Sequence, residues 1–418
     1  MDRIVVDGGQ KLEGEVKISG SKNAALPILV SSLLVDGECV FKNVPDLKDI
    51  QSIKLLLEDL GARVHTEGDT VRIDASGVHK HEASYDLVRK MRASILVLGP
   101  LLARFSRARV SLPGGCAIGA RPINLHLKGI GGLGAAITLE HGYVEATVEK
   151  LIGADIYFDV VSVGATESLM MTAALAEGET VLRNAAREPE IIALADVLNS
   201  MGARIEGAGT PEIKIQGVRT LKPATVSIIP DRIEAGTFMV AAAMTKGNVL
   251  VTNCEPEHMG AIIHKLKLTG AEVDVAGNTV RVKGPDVIQS VDIRTIPYPG
   301  FPTDMQAQFM AMLAVANGTS VITETIFENR FIHVSELKRM GADISLAGGN
   351  VATVKGVHHL SGAPVMATDL RASASLILAG LIAEGRTVVS RVYHLDRGYE
   401  SIEKKLSGLG ARVFREKE

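Results

Sequence analysis

The feature that most constrains the fold of this chain is a six-fold internal repeat. A Gly-Ala pair ends an apolar, charged helix pattern six times along the sequence, with its glycine at Gly61, Gly134, Gly202, Gly270, Gly341 and Gly410. Successive glycines are 68 to 73 residues apart. A period this constant predicts repeated structural units, and six units in 418 residues favour two domains of three units each.

Each repeat combines a small-residue helix with β-branched strands. In five repeats a long apolar helix ends at a glycine, followed by a β-rich stretch such as "ECVFKNV" or "NVLVTNC" (Gly37, Gly178, Gly247, Gly318 and Gly385). Only the second repeat lacks this glycine. The pattern predicts α/β units that run helix, strand, second helix, strands. A solenoid of stacked units is the alternative.

The two ends of the sequence complement each other. The C-terminus stops at "GARVFREKE", before the remaining strands of the last repeat, and the N-terminus supplies "RIVVDGG" and "GEVKISG". We therefore expect residues 1–20 to complete the C-terminal half. The first domain is then 21–229, the second is 230–418 together with 1–20, and two chain crossings near residues 20 and 230 form a hinge.

Composition limits the functional classes. Hydrophobic residues make up 46% of the chain and the net charge is −3, which is typical of a globular protein and gives no support to non-specific binding of nucleic acid or anionic membranes. The first residues lack an apolar signal core, and the most apolar run, residues 24–35, is too short to span a bilayer. We expect a cytoplasmic protein.

Neither the cysteines nor the histidines have metal-site spacing. The chain has three cysteines, without a CxxC pair, and eleven histidines, without an HExxH motif. This usage is typical of free thiols in a reducing compartment, and we expect neither a metal nor an organic cofactor.

Cations recur where the long helices begin. Equivalent positions in or just before a first helical turn hold Lys22, Arg92, Arg232 and Arg371. One cation there costs a few tenths of a kcal/mol, but four suggest an anionic ligand, which helix N-termini already favour. Scattered solvated arginines are the alternative.

The acidic and polar residues at these helix starts have a structural interpretation. Asp231 with Glu234, and Thr303 with Gln306, have the spacing of capping boxes. An acidic residue such as Asp304 at a helix start is usually a cap.

One cysteine lies in a glycine-rich loop. In "SLPGGCAIGARPINLHL", residues 111–127, Cys116 is flanked by Gly114, Gly115 and Gly119, and Arg121 follows. An exposed thiol near a cation has a lowered pKa, so Cys116 is a candidate nucleophile or acid. Cys39 and Cys254 lie in patterns that favour a structural role.

Two rival functions remain at this point. A cysteine hydrolase or acyltransferase would use Cys116 with His126 as its base, but it also needs an orienting third group that the sequence does not mark. A non-catalytic ring of six units that clamps nucleic acid would use the helix-start cations as a basic inner face.

Long motifs along nearly the whole chain identify a family. The sequence resembles the enolpyruvyl transferases in "GSKNAALP", "MRAS", "SLPGGCAIGARP", "VSVGAT", "NAAREPEI", "PDRIEAGTF", "FPTDMQAQF", "TIFENRF", "DLRASASL" and "HLDRGYE". The resemblance implies an α/β fold of two inside-out barrels, with helices inside, sheets outside, six βαβαββ-like repeats, and an active-site cleft between the domains. The shikimate-pathway transferase of this family lacks the cysteine loop, so Cys116 favours the members that act on UDP-N-acetylglucosamine.

The resemblance also implies a reaction. Phosphoenolpyruvate gives its enolpyruvyl group to the 3′-hydroxyl of UDP-N-acetylglucosamine and releases phosphate, as the first committed step of peptidoglycan precursor synthesis. Cys116 resembles the acid that also forms a covalent adduct and reacts with fosfomycin, and Asp304 resembles the base. The implied partners are these two small molecules, with no nucleic acid or membrane, in a monomer or weak homo-oligomer.

The remaining site residues are likewise carried over from the family. Lys22 resembles a catalytic residue and, with Arg121 and Arg397, a ligand of the phosphate; Arg330 and Arg371 resemble carboxylate ligands, for which guanidinium groups suit best. Arg92 resembles a residue near both substrates. The implied contacts of the nucleotide sugar are Asn23, Arg92, Arg121, Pro122, Ile123, Asn124, Leu125, Ser162, Val163, Gly164, Asp304 and Ile326. Asn124 and Val160 depart from the Asp and Lys of some relatives.

Overall fold

The structure is a computed structural model, and it describes residues 2–89, 91–112 and 123–417. Its strands are β1 (Asp2–Asp7), β2 (Glu13–Lys17), β3 (Glu38–Lys42), β4 (Arg63–Glu67), β5 (Thr70–Asp74), β6 (Glu82–Ala83), β7 (Arg107–Ser111), β8 (Ala136–Glu140), β9 (Tyr143–Thr147), β10 (Asp155–Tyr157), β11 (Glu179–Arg183), β12 (Arg204–Glu206), β13 (Glu212–Gln216), β14 (Thr225–Ser227), β15 (Asn248–Thr252), β16 (Glu272–Ala276), β17 (Thr279–Lys283), β18 (Ile293–Arg294), β19 (Thr319–Thr323), β20 (Asp343–Ala347), β21 (Val351–Lys355), β22 (Pro364–Met366), β23 (Arg386–Ser390) and β24 (Arg412–Lys417).

The α-helices alternate with these strands. They are α1 (Lys22–Ser31), α2 (Lys48–Asp59), α3 (Tyr85–Val88), α4 (Leu98–Phe105), α5 (Asn124–Gly132), α6 (Val163–Ala173), α7 (Pro189–Ser200), α8 (Arg232–Met244), α9 (Gly260–Leu268), α10 (Gln306–Leu313), α11 (Val334–Arg339), α12 (Leu370–Ile382) and α13 (Ile402–Gly408). Short 3-10 helices cover Ser32–Leu34, Arg92–Val97, Pro256–Met259, Thr303–Met305 and Val392–Arg397.

The chain forms two compact units. The N-terminal unit contains residues 20–229, within the described ranges, and the C-terminal unit contains residues 2–19 and 230–417. The strands described make six four-stranded sheets, three in each unit. In the sheet β6-β7-β9-β8, for example, the first pair is parallel and the other two pairs are antiparallel. The predicted α/β repeat is confirmed.

Strands from distant parts of the chain complete three of the sheets. In the N-terminal unit β14 pairs in parallel with β3, so the last strand of the unit joins its first sheet. In the C-terminal unit β1 lies between β23 and β24, as expected for the sequence "RIVVDGG". The stretch "GEVKISG" was predicted to complete the last repeat too, and this is wrong: β2 pairs in parallel with β15, in the fourth repeat.

The first helix of each repeat lies in the core. In the C-terminal unit α8, α10 and α12 contact one another, and all residues from Ile233 to Met244 are buried. Small residues permit this close packing: a Cβ on Gly236 would lie 3.0 Å from Met305 Sδ. The strands bury alternate residues, such as Val249 and Val251 of β15, and expose the others. Helices therefore line the interior of each unit and sheets cover it.

The repeat glycines have a conformational reason. All six glycines of the Gly-Ala pairs have positive φ, between 94° and 108°, where a side chain would be strained. They end the second helix of each repeat. In the second repeat, which lacks the other landmark glycine, Ser106 follows α4 with a φ of 58°.

Candidate active site

The C-terminal unit brings two arginines onto one carboxylate. Arg330 Nη2 lies 2.9 Å from Asp304 Oδ1, and Arg371 Nε and Nη2 both lie 3.2 Å from Asp304 Oδ2. The arginine side chains are only 5% and 2% exposed, and that of Asp304 is 25% exposed. These residues come from the loop after β19, the first turn of α12 and the turn before α10. The cluster therefore concentrates positive charge beside an acid that solvent reaches.

An aromatic ring contacts the guanidinium group of Arg371. The guanidinium carbon lies 5.2 Å from the centre of the Tyr399 ring, within the range of a cation–π interaction. The Tyr399 hydroxyl contacts Thr237 Oγ1 at 2.9 Å and accepts a hydrogen bond from Gln308 Nε2 at 3.2 Å. The Arg371 side chain also hydrogen-bonds to Tyr399. A buried guanidinium group held in this way suits an anion.

The helix that carries Arg371 is capped as the sequence indicates. Asp369 accepts hydrogen bonds from the backbone amides of Arg371 and Ala372 at 2.8 and 3.1 Å. Asp231 likewise caps α8, accepting from the amides of Ile233 and Glu234 at 2.8 and 3.0 Å.

Neither predicted capping box closes. The carboxylate of Glu234 accepts from the Ser19 amide at 2.8 Å and from Lys405 Nζ at 2.7 Å. The Gln306 side-chain atoms have no hydrogen-bond partner among the described residues. Thr303 is not an N-cap, because it lies inside the 3-10 helix Thr303–Met305, whose N-cap is Pro302, and its hydroxyl donates to Glu324 Oε2 at 2.9 Å.

The N-terminal unit holds a second cation at a helix start. Lys22 is the first residue of α1, whose N-cap Ser21 accepts from the Ala24 amide at 3.3 Å. Its Nζ lies 3.5 Å from Asp49 Oδ2, with side chains 12% and 4% exposed. Asn23 follows in the first turn. The ion pair holds the ammonium at the N-terminus of α1.

The other helix-start cations lie where predicted. Arg92 begins the 3-10 helix Arg92–Val97 in the N-terminal unit, and Arg232 begins α8 in the C-terminal unit. Arg397 ends the 3-10 helix Val392–Arg397 and is half-buried. The desolvation of His394, followed by the charge of Arg397, lowers the pKa of that histidine.

The described nucleotide candidates of the N-terminal unit lie at two helix starts. Ser162 is the N-cap of α6 and accepts from the Ala165 amide at 3.3 Å, and Val163 and Gly164 begin the helix. Asn124 and Leu125 begin α5, after the buried Ile123. Val160 is 63% exposed. In the C-terminal unit, Ile326 is 37% exposed.

His126 links these two helix starts. Its Nε2 lies 3.2 Å from the point where a Cβ on Gly164 would stand. Burial, and then the positive charge of Arg92, lower the pKa of His126 to about 4, so its ring is neutral at pH 7. Neither ring nitrogen has a hydrogen-bond partner among the described residues. The hydrolase alternative needs a group that orients His126 as a base, and the described residues supply none.

Three predicted residues lie outside the described ranges, namely Cys116, Arg121 and Pro122. The other two cysteines are buried, as expected for structural thiols. Desolvation raises the pKa of Cys39, and raises that of Cys254 to about 11.

Two further properties concern the described ranges only. They contain no cluster of three or more His, Cys, Asp or Glu side chains that could hold a metal ion. No helix in them has the length and apolar character needed to cross a membrane.

Comparison with known proteins places this arrangement in a family. The sequence matches the family model of EPSP synthase (3-phosphoshikimate 1-carboxyvinyltransferase) over residues 6–406. The chain belongs to the EPSP synthase family. Among solved structures of this fold, the enolpyruvyl transferase NikO from Streptomyces tendae has a TM-score of 0.90 and 27% identity, covering 99% of this chain and 98% of that one. The predicted enolpyruvyl transferase fold is confirmed.

Relatives within the EPSP synthase family share far more of the sequence. A UDP-N-acetylglucosamine 1-carboxyvinyltransferase of Desulfosudis oleivorans is 67% identical over 415 residues, 99% of each chain. One of Geotalea daltonii is 63% identical over 418 residues, 100% of each chain. By contrast, an EPSP synthase of Acinetobacter baumannii has 19% identity and a TM-score of 0.77 over 100% of both chains, which shows the fold alone.

Proposed function

We propose that this member of the EPSP synthase family transfers the enolpyruvyl group of phosphoenolpyruvate to the 3′-hydroxyl of UDP-N-acetylglucosamine and releases phosphate. The observation that carries the proposal is the Asp304 carboxylate between the buried guanidinium groups of Arg330 and Arg371. One cluster thus offers a base and two cations, as a reaction between a hydroxyl and an anionic enol ester requires. The names of the full-length relatives support this acceptor.

The cations divide between the two anionic groups of phosphoenolpyruvate. Arg330 and Arg371 bind its carboxylate, since their buried guanidinium groups suit a planar carboxylate. The phosphate is bound by Lys22, Arg121 and Arg397. Arg92 serves both substrates. Positive charge fixed around the phosphate also stabilises it as it departs.

Bond changes follow an addition and an elimination. Asp304 takes the proton of the 3′-hydroxyl, the sugar oxygen bonds to C2 of phosphoenolpyruvate, and the Cys116 thiol delivers a proton to C3. In the second half, C3 loses a proton, the double bond to C2 returns, and the C2–O bond to phosphate breaks. The Cys116 thiol can also add to C2 and form a covalent adduct.

The proposed contacts of the nucleotide sugar are Asn23, Arg92, the segment from Arg121 to Leu125, Ser162 to Gly164, Asp304 and Ile326. Asn124 and the exposed Val160 offer neither the carboxylate nor the ammonium group of some relatives, so either the nucleotide affinity or the share of binding carried by backbone contacts should differ from theirs. The role in peptidoglycan synthesis, the cytoplasmic location and the monomer or weak homo-oligomer stay predictions.

Phosphate release tests the proposed function. Purified protein with phosphoenolpyruvate is expected to release phosphate only when UDP-N-acetylglucosamine is present. Turnover of a thioester substrate without phosphate release would favour the hydrolase alternative instead. Binding of duplex DNA at low salt, with no turnover, would favour the clamp.

Asp304→Asn tests the base. The amide cannot take a proton, so we expect kcat to fall about a hundredfold or more. The expectation that Asp304 is a helix cap is wrong, because Pro302 and Met305 are the N-caps of the 3-10 helix and of α10. Near-normal kcat with a lowered melting temperature would mean that Asp304 only holds Arg330 and Arg371 in place.

A further inference from the structure

A buried carboxylate outside the predicted site joins two parts of it. Glu324 directly follows β19 and is 2% exposed. Its Oε1 accepts hydrogen bonds from Thr295 Oγ1 at 2.8 Å and from the backbone amides of Ile326 and Phe327 at 2.8 and 3.2 Å. Its Oε2 accepts from Thr303 Oγ1 at 2.9 Å. A single side chain thus contacts both the loop before Arg330 and the turn before α10.

The Thr303 hydroxyl carries this connection onward to Arg330. Arg330 Nη1 donates to Thr303 Oγ1 at 3.4 Å, while its Nη2 contacts the carboxylate of Asp304, the next residue along the chain. The hydroxyl has one proton, which it donates to Glu324, so its lone pairs face Arg330. The direction of each hydrogen bond therefore depends on Glu324 being an acceptor at both oxygens.

We propose that Glu324 is a positioning residue, which holds Arg330 and Asp304 in register through Thr303 and holds the loop of Ile326 through its backbone amides. This inference rests on the proposed function. Glu324 touches no reacting atom; it fixes the geometry of the groups that do. Displacement of a reacting group by about 1 Å reduces rates by up to about a hundredfold, so an effect on turnover is expected without an equal effect on folding.

The substitution Glu324→Gln distinguishes the roles of the two carboxylate oxygens of Glu324. Three donors face Oε1, so the glutamine carbonyl must take that place and its amide nitrogen must face Thr303. The Thr303 hydroxyl then meets two donors and loses its acceptor. The substitution keeps the side-chain shape and the loop hydrogen bonds, and reverses only the hydrogen bond between residue 324 and Thr303, which is the acceptor of Arg330.

Thr295→Val is the matched control. It removes a hydrogen bond to the same carboxylate at Oε1, the oxygen that does not accept from Thr303. Thr303→Val removes the connecting hydroxyl, and Thr303→Ser retains it. Thr295→Val also removes the acceptor of the Thr325 amide, which donates to Thr295 Oγ1 at 2.9 Å, and Thr303→Val removes the hydrogen bonds to both Glu324 and Arg330. Each valine variant therefore loses two hydrogen bonds, so their melting temperatures should be similar.

The experiment measures kcat by phosphate release, with the melting temperature beside it. We expect Glu324→Gln and Thr303→Val to lower kcat about tenfold or more, and Thr303→Ser and Thr295→Val to stay within about threefold of the wild type. The Glu324→Gln/Thr303→Val double variant should resemble either single variant, because both break one connection. Wild-type turnover in the same assay tests the proposed function separately.

Two results would overturn the inference. One is a kcat of Glu324→Gln no lower than that of Thr295→Val, which would make Glu324 a structural residue only. The other is additive losses in the double variant, which would mean that Glu324 does not act through Thr303. If Glu324→Gln does not fold, the kcat values of Thr303→Val and Thr303→Ser are compared with that of Thr295→Val instead. A kcat of Thr303→Val no lower than that of Thr295→Val would then overturn the inference.

Discussion

Among single residues, the three thiols should differ sharply in reactivity. Cys39 and Cys254 are buried, and burial raises the pKa of both, so their thiolate fraction at neutral pH is small. We expect fosfomycin, an epoxide that resembles phosphoenolpyruvate, to alkylate Cys116 alone in the presence of UDP-N-acetylglucosamine. Peptide mass spectrometry locates the label. Label on Cys39 or Cys254 would refute the assignment.

Cys116→Asp should resist the epoxide and retain some activity, since a carboxyl group can deliver a proton.

His126 should make the stability depend on pH. In the unfolded chain a histidine binds a proton near pH 6.5, whereas in the folded protein the pKa of His126 is about 4. The unfolded state therefore binds more protons between these values, and the stability present above pH 6.5 is lost as the pH falls toward 4. The full contribution is about 3 kcal/mol at most. Urea unfolding of His126→Gln should show a smaller loss between pH 7 and pH 5 than the wild type; equal losses would contradict this.

At the scale of the element, the repeat glycines should be needed for conformation rather than for space. Gly341 has a φ of 94° and no atom within 4 Å of the point where a Cβ would stand, and Gly260, at the start of α9 in the same unit, is equally open without a positive φ. Gly341→Ala should cost about 1–2 kcal/mol of unfolding free energy. Gly260→Ala should be neutral or stabilise by about 0.4–1 kcal/mol. Chemical denaturation compares the two, and similar effects would refute the conformational explanation.

Local sequence patterns predicted where helices and strands lie better than they predicted which strands pair and which side chains hydrogen-bond. The Gly-Ala pairs predicted helix ends because a positive φ is a local requirement that glycine meets. The predicted strand partner of β2 was wrong because β15 lies more than 200 residues away in the chain. Nothing in the sequence "GEVKISG" selects β15 over β23 as the neighbouring strand. The Thr303–Gln306 capping box was wrong because the helix is preceded by a 3-10 turn that contains Thr303, so Thr303 does not stand at the N-cap.

In the candidate site, too, the sequence predicted individual residues but not the contacts between them. The family resemblance named Asp304, Arg330 and Arg371, but their mutual contact depends on how two repeats pack, which periodicity does not report. No motif drew attention to Glu324, since the role of a buried polar residue is recognised only once its surroundings are known.

At the scale of the whole molecule, the two units should differ as isolated fragments. The described residues of the N-terminal unit include its own closing strand β14, so a fragment of residues 20–229 should fold alone. Residues 230–418 lack β1 and β2, so this fragment should unfold at a lower temperature than one in which 1–19 is joined ahead of 230 by a short glycine linker. The Asp231 amide donates to the Ser19 carbonyl at 2.9 Å, so the join is short. Equal melting curves by circular dichroism for the two C-terminal fragments would contradict these boundaries.

For the molecule as a whole, the property to test is which substrate accepts the enolpyruvyl group, because the EPSP synthase family includes enzymes with a different acceptor. The direct measurement offers the protein phosphoenolpyruvate with equal amounts of UDP-N-acetylglucosamine and shikimate 3-phosphate, and identifies the product by mass spectrometry. The proposed function predicts that the enolpyruvyl group is found on the nucleotide sugar alone. Transfer to shikimate 3-phosphate, or an unmodified nucleotide sugar after phosphate release, would contradict it.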